Sequence, residues 1–228
     1  MPTSLDAIFA EAQPPKVQVT QPIRRVDAST LLQVCSSIVP LVKNNGVRVI
    51  LPIGMGEWGR DNLKDLLYKP LKSIGKNLVV VSADEFMTKD GVYTFDPAQL
   101  TRAHQSCQGK CMQHLLIKTS VVLVANVNEQ LKWLQVYDET MKYSNVVVKM
   151  VPSTKHFAIA CGDGNKKNIP EYVYATMWER VHSLIVPDGC LKRCRAVITK
   201  VDDIQEDDYV TLLKPTSLNS GGGIRSNQ

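Results

Sequence analysis

Gly54-Met-Gly-Glu-Trp-Gly59-Arg60-Asp61 sits between a short apolar run and a helical stripe. Gly54, Gly56 and Gly59 give it the glycine frame of a phosphate-binding loop, G-x-x-x-x-G-K-[ST]. In such a loop backbone N–H groups cradle phosphates at a helix N-terminus. A lysine then adds a point charge and a hydroxyl binds magnesium. Here Arg60 stands where the lysine belongs and Asp61 where the hydroxyl belongs. A carboxylate at that helix start is itself a good partner for the helix dipole. Asp61 is therefore expected to occupy electrostatically the place of a phosphate, with Arg60 turned to Asp61 or Glu57. Taken alone, a glycine-rich strand-to-helix turn also serves as a plain connection. Trp58 inside it either fills space or stacks on a ligand.

Two further groups of residues have chemical potential. His104, Cys107, Cys111 and His114 fall on one side of an expected helix. Soft ligands at that spacing suggest zinc. One straight helix cannot wrap four ligands around an ion, because ten residues span roughly 15 Å. The expectation is no metal site, with small residues packing the helix on a sheet. Lys166 and Lys167, and the cluster Lys192, Arg193, Arg195 and Lys200, are candidate nucleic-acid contacts. The cluster also reads as a solvated face balanced by the acidic loop at 202–208.

The elements that must position these residues follow from periodicity. Residues 47–53, 78–82, 121–125 and 146–151 are apolar, β-branched runs. Helical stripes separate them: Leu63, Leu66, Leu67 and Leu71; the segment opened by Asp96-Pro97 and expected to reach about Lys118; and Leu131, Leu134, Tyr137 and Met141. Pro70 is expected to kink or shorten the first of these. A helix with Leu31, Cys35, Ile38 and Val42 precedes the unit and ends at Asn44-Asn45-Gly46; another follows from Pro170 to about Leu184. Buried strands alternating with amphipathic helices predict an α/β fold, a parallel sheet covered on both faces.

Residues 1–26 carry four prolines and no apolar period, which predicts a flexible arm. Residues 27–184 form the expected domain. Residues 185–228 form an expected β-rich extension, with strands near 195–201 and 209–213 and a flexible glycine-rich tail. The chain has 228 residues, 44% of them hydrophobic and 21% charged, as suits one domain with a short extension. No apolar run reaches the roughly 18 residues that span a bilayer, and the first residues lack a secretory pattern. A cytoplasmic location with no membrane partner is expected. Six cysteines in that setting predict free thiols. The net charge of +5 permits nucleic-acid binding without concentrating charge on a face.

The order of segments then carries a resemblance. Val81-Ser-Ala-Asp84-Glu-Phe86-Met87, Asp90-Gly-Val-Tyr93-Thr-Phe95-Asp96 and Gln99-Leu-Thr-Arg-Ala-His104 follow one another. Val124-Ala125-Asn126-Val127-Asn128 and Asn165-Lys-Lys-Asn-Ile169-Pro170 come later. Over about 46–184 this resembles the polynucleotide-kinase-like P-loop family. Its nearest subgroup reads S-T-D-D-F/Y-F/M, then D-G-x-Y-x-F-D, with a later D-N-T-N.

The resemblance implies a P-loop kinase-like sheet, ATP and magnesium as cofactors, and Asp84 as the general base toward a 5′-hydroxyl. It also exposes departures. Arg60, Asp61, Ala125, Val127 and Gly164 stand where the family has lysine, a hydroxyl, aspartate, threonine and a lid arginine. The leading expectation is thus a catalytically impaired pseudokinase that acts as an interaction or structural subunit with a protein partner and needs no cofactor. The alternatives are an active polynucleotide or nucleotide kinase using Asp84, and a nucleic-acid-binding module without phosphoryl transfer.

Overall fold

The computed structural model describes residues 28–54, 60–151, 161, 167, 169–201 and 209–212. The expected arm at 1–26, the acidic loop at 202–208 and the glycine-rich tail lie outside them, as do Gly56, Trp58, Gly59 and Lys166.

The order is α1 (Ala28–Asn45), β1 (Val47–Ile53), α2 (Arg60–Ser73), β2 (Asn77–Val81), α3 (Asp84–Met87), β3 (Thr88–Lys89), β4 (Val92–Tyr93), α4 (Leu100–Leu115), β5 (Ser120–Val124), α5 (Leu131–Met141), β6 (Ser144–Val151), α6 (Glu171–Ser183), β7 (Cys194–Val201) and β8 (Tyr209–Leu212). The main sheet has the order β2-β5-β1-β6-β7-β8. Its first five strands are parallel and β8 is antiparallel to β7. This is an α/β fold with a five-strand parallel sheet flanked by helices, an arrangement consistent with the P-loop-like, Rossmann type.

Alternation along the strands divides the core. Ile50, Val121, Leu123, Val146 and Val148 face α1 and α2, meeting Ile38, Leu63, Leu67 and Leu71. Val49, Leu51, Ile53, Val122 and Val124 face α4 and α5, meeting Ala103, Cys107, Leu134 and Tyr137. A strand buried on both faces has no polar face to present, hence the unbroken apolar runs. Cys35, Cys107 and Cys111 pack in these layers, and all six cysteines are free thiols. Among the described residues no helix is long and apolar enough to cross a membrane.

Several expectations change in detail. Pro70 lies near the end of α2, where the helix continues to Ser73 without being cut short. The Asp96 carboxylate accepts from Ala98 N–H at 2.9 Å, but it caps a 3-10 turn at Pro97–Gln99; α4 proper starts at Leu100 and ends at Leu115, short of Lys118. The extension is β-rich, yet its first strand is the fifth parallel strand of the main sheet, with Val147 opposite Val197 and Val148 opposite Ile198. The described part of the extension thus shares the core of the main sheet. Ala196 and Ile198 are buried with α1 in the same layer as Ile50.

Candidate functional site

β1 lies between β5 and β6. The chain leaves β1 toward one side, to β2 and back through β5, and then crosses to β6 on the other. Such a switch point opens a crevice beyond the carboxyl ends of the strands, where α/β sheets bind ligands. Gly54, at the end of β1, and the loops after β2 and β5 meet at this edge.

Their junction is held by side chains of the segment 125–128. Asn126 is buried, and its Oδ1 accepts from Ala83 N–H at 2.8 Å, immediately before Asp84. Its Nδ2 donates toward Tyr137 Oη at 3.3 Å and Cys107 Sγ at 3.5 Å. Asn128 is in the left-handed region at φ 52° and donates from Nδ2 to Pro52 O at 2.8 Å. Gly54 N–H donates to Val127 O at 3.0 Å. Gly54 has φ 150°, a conformation essentially confined to glycine. The first glycine of the frame is therefore required by the backbone, and α2 begins at Arg60 as the strand-to-helix reading expects.

Beside this junction lies a pocket of about 520 Å³. Ala83 and Asp84 enter from the start of α3, Tyr93 from β4, His104 from α4, Asn126–Gln130 from the loop after β5, Trp133 from α5, and Lys167 and the face of α6 from the far side. Asp84 is about a third exposed, and its Oδ2 lies 2.6 Å from Lys167 Nζ. That ammonium is also 4.9 Å from the centre of the Tyr93 ring. Arg180 of α6 reaches Glu129 at 3.4 Å. Two ion pairs thus connect the 167–180 wall to the loops after β2 and β5. The half-buried Lys149 fixes the other end of α6 by donating to Leu184 O at 2.6 Å, and burial lowers its pKa.

His104 stacks on Trp133 with centroids 4.3 Å apart and planes 9° apart. Burial depresses its pKa, against the raising influence of Glu129 and Asp84 and with a small lowering from Lys132. Its Nδ1 is buried with no hydrogen-bond partner among the described residues. Cys107 and Cys111 lie beneath, and burial pushes the Cys111 thiol up to about 12. Cys107 accepts from Tyr137 Oη at 3.3 Å, so it serves the buried network. Among the described residues no group of His, Cys, Asp or Glu could hold a metal ion.

The structure brings Asp84 and Lys167 together and places Lys192, Arg193 and Arg195 elsewhere. Cys194, at the start of β7, pairs with Asn145 at the start of β6. Lys192, Arg193 and Arg195 therefore lie at the amino-terminal edge of the sheet, opposite the pocket. Lys192 and Arg193 donate their backbone N–H groups to the buried Asp138, and Arg193 also donates from Nη1 to Asp138 O at 3.0 Å. Arg195 Nε donates to Ser144 Oγ at 3.0 Å. Among the described side chains, Lys167 and the group Lys192, Arg193 and Arg195 thus lie at opposite edges of the sheet.

Tyr93 falls in a segment that carries the resemblance, but the pocket rings of Trp133 and Tyr172 were not among the residues the sequence singles out, nor was the Glu129–Arg180 pair. One signal was available. Asp90-Gly91, with φ 51° and 79°, is the Asp-Gly turn of the β3–β4 hairpin that delivers Tyr93.

Ala125 is a buried methyl-bearing residue whose N–H donates to Val81 O at 2.8 Å. It offers no carboxylate to orient a metal or its waters. A scan against protein-family models and a search among curated proteins each found no match to this chain.

Proposed function

We propose that this chain is a catalytically impaired kinase-fold protein, polynucleotide-kinase-like in pattern, that acts by binding as an interaction subunit. The observation that carries this reading is the contrast within one crevice. The Asp84 side is built and braced by Asn126, whereas Ala125 and Val127 remove the polar groups that phosphoryl transfer needs from the same loop. Such transfer depends mainly on positioning and charge neutralisation, so a retained base cannot replace them. Arg60 and Asp61 at the head of α2 add to the argument. An aspartate there repels phosphates, and arginine is not a neutral swap for a compact lysine.

The test is calorimetric titration with ATP and magnesium, together with an oligonucleotide 5′-kinase assay on wild type and Asp84→Asn. No binding in the usual kinase range and no turnover are expected. Micromolar binding with turnover abolished by Asp84→Asn would instead establish an active kinase. A double change, Arg60→Lys with Asp61→Ser, that creates nucleotide binding would identify the loop as the lesion.

A further inference from the structure

We propose that the Asp84 pocket is a docking site for a protein partner, entered by an aromatic side chain with acidic residues beside it. The inference rests on the reading of the chain as an interaction subunit and names the surface and the partner chemistry.

The pocket's volume lies in the range of ligand sites, about 300–1,000 Å³, and its walls carry rings on several sides. Tyr93 and the His104–Trp133 stack form the inner wall. Tyr172, 59% exposed, and Leu100, 38% exposed, form an apolar rim. Aromatic side chains seated in such pockets dominate protein interfaces, because they bury large apolar area with few rotatable bonds.

Charge selects the class of occupant. The described lining carries Lys132, Lys167 and Arg180 against Asp84 and Glu129. Asp84 is matched by Lys167 and Glu129 by Arg180. A slight positive surplus is left, centred on the exposed Lys132, whose ammonium is 5.0 Å from the Trp133 ring centre. A phosphodiester strand draws its affinity from several lysines and arginines tracking its backbone. The described residues place no such track here, and Lys192, Arg193 and Arg195 are at the opposite edge. A ring flanked by one or two carboxylates matches both the aromatic walls and the small surplus.

The test is selection of random peptides displayed on phage against the full-length protein, then titration of the enriched peptides in synthetic form. Enrichment of Trp, Tyr or Phe next to Asp or Glu is expected. Replacing the peptide's ring by alanine should weaken binding by at least about tenfold. On the protein, Tyr172→Ala should weaken it about tenfold and Lys132→Glu about fivefold. Both side chains are exposed, and unchanged thermal unfolding verifies that the variants fold. Tyr68→Ala, an exposed ring on α2, should change nothing. The proposal is overturned by selection without such a motif, or by enriched peptides indifferent to Tyr172→Ala and Lys132→Glu. It is equally overturned if a single-stranded oligonucleotide displaces the peptide in a manner sensitive to Lys132→Glu, which makes nucleic acid the occupant. Self-association abolished by Tyr172→Ala would assign the pocket to a second copy. Turnover in the kinase assay overturns the functional reading regardless of the peptides, whereas failed selection without turnover removes only the docking site.

Discussion

Asp138 and Asp84 stand at opposite edges of one sheet and are held by opposite means. Asp138 is 1% exposed. Its carboxylate accepts from Lys192 N–H at 2.7 Å, Arg193 N–H at 2.8 Å and Asn145 Nδ2 at 2.7 Å. Backbone amides cannot move away without unfolding the turn before β7, so this carboxylate is part of the fold. Asp84 is about a third exposed, and its recorded ion-pair partner is the tip of a flexible lysine that arrives from 83 residues away. A lysine can swing aside when something else enters. Buried carboxylates satisfied by backbone build the molecule, and half-open ones satisfied by side chains can exchange partners.

The contrast has measurable consequences. Asp138→Ala leaves two backbone donors and an amide without their acceptor in a buried place. It should cost about 3 kcal/mol or more in denaturant unfolding. A loss below about 1 kcal/mol would break the distinction. Asn126→Ala tests the brace behind Asp84. The Ala83 N–H loses its acceptor, so a loss of about 2 kcal/mol is expected, together with weaker docking in the pocket. Asp84→Asn should cost less than about 1 kcal/mol, because its partly exposed ion pair is screened by solvent. A larger loss would move Asp84 into the structural class with Asp138.

The smallest effect sharpens the comparison through pH. Burial lowers the His104 pKa below its ordinary value of 6.5. Between the folded and unfolded pKa values the unfolded chain binds more protons, so stability rises with pH across that window. Neutral His104 contributes its full share above about pH 6.5, and that share is lost as pH falls through the folded pKa. Denaturant unfolding at several pH values should show this slope reduced in His104→Phe, which keeps a ring against Trp133. An unchanged slope would assign the pH dependence to other groups.

How much of this was legible in the residues differs between the two edges. β1 matches its expected span of 47–53, and β2, β5 and β6 begin one or two residues before theirs, because each is a run of β-branched residues with no polar face. The strands near 195–201 and 209–213 were legible as strands, but not their place in the sheet. Strand content is written in alternation along a few residues, whereas the neighbour of β7 is fixed by how Ala196 and Ile198 pack under α1. Asp84 was legible through its setting after β2. Its pairing with Lys167 and the pairing of Glu129 with Arg180 were not, since these contacts close over 83 and 51 residues of chain. The basic cluster at 192–195 read as a solvated face or a ligand surface, and composition does not reveal the buried Asp138 that accepts from its backbone.

By itself, then, the sequence determined the layers: apolar runs and helical stripes are local patterns, and burying them leaves an α/β sheet as the arrangement that covers both faces. It also determined the chemical identity of the crevice, with Gly54 where φ demands glycine, Asp84 after β2 and Ala125 after β5. Only the tertiary structure decided which charges meet. Lys167 and Asp84 lie far apart along the chain yet 2.6 Å apart in space, while Lys167 and Arg193, much nearer in sequence, end at opposite edges of the sheet. The reason is geometric. A parallel strand such as β7 carries the chain across the full depth of the sheet, so residues at its two ends cannot share a site however similar their charge.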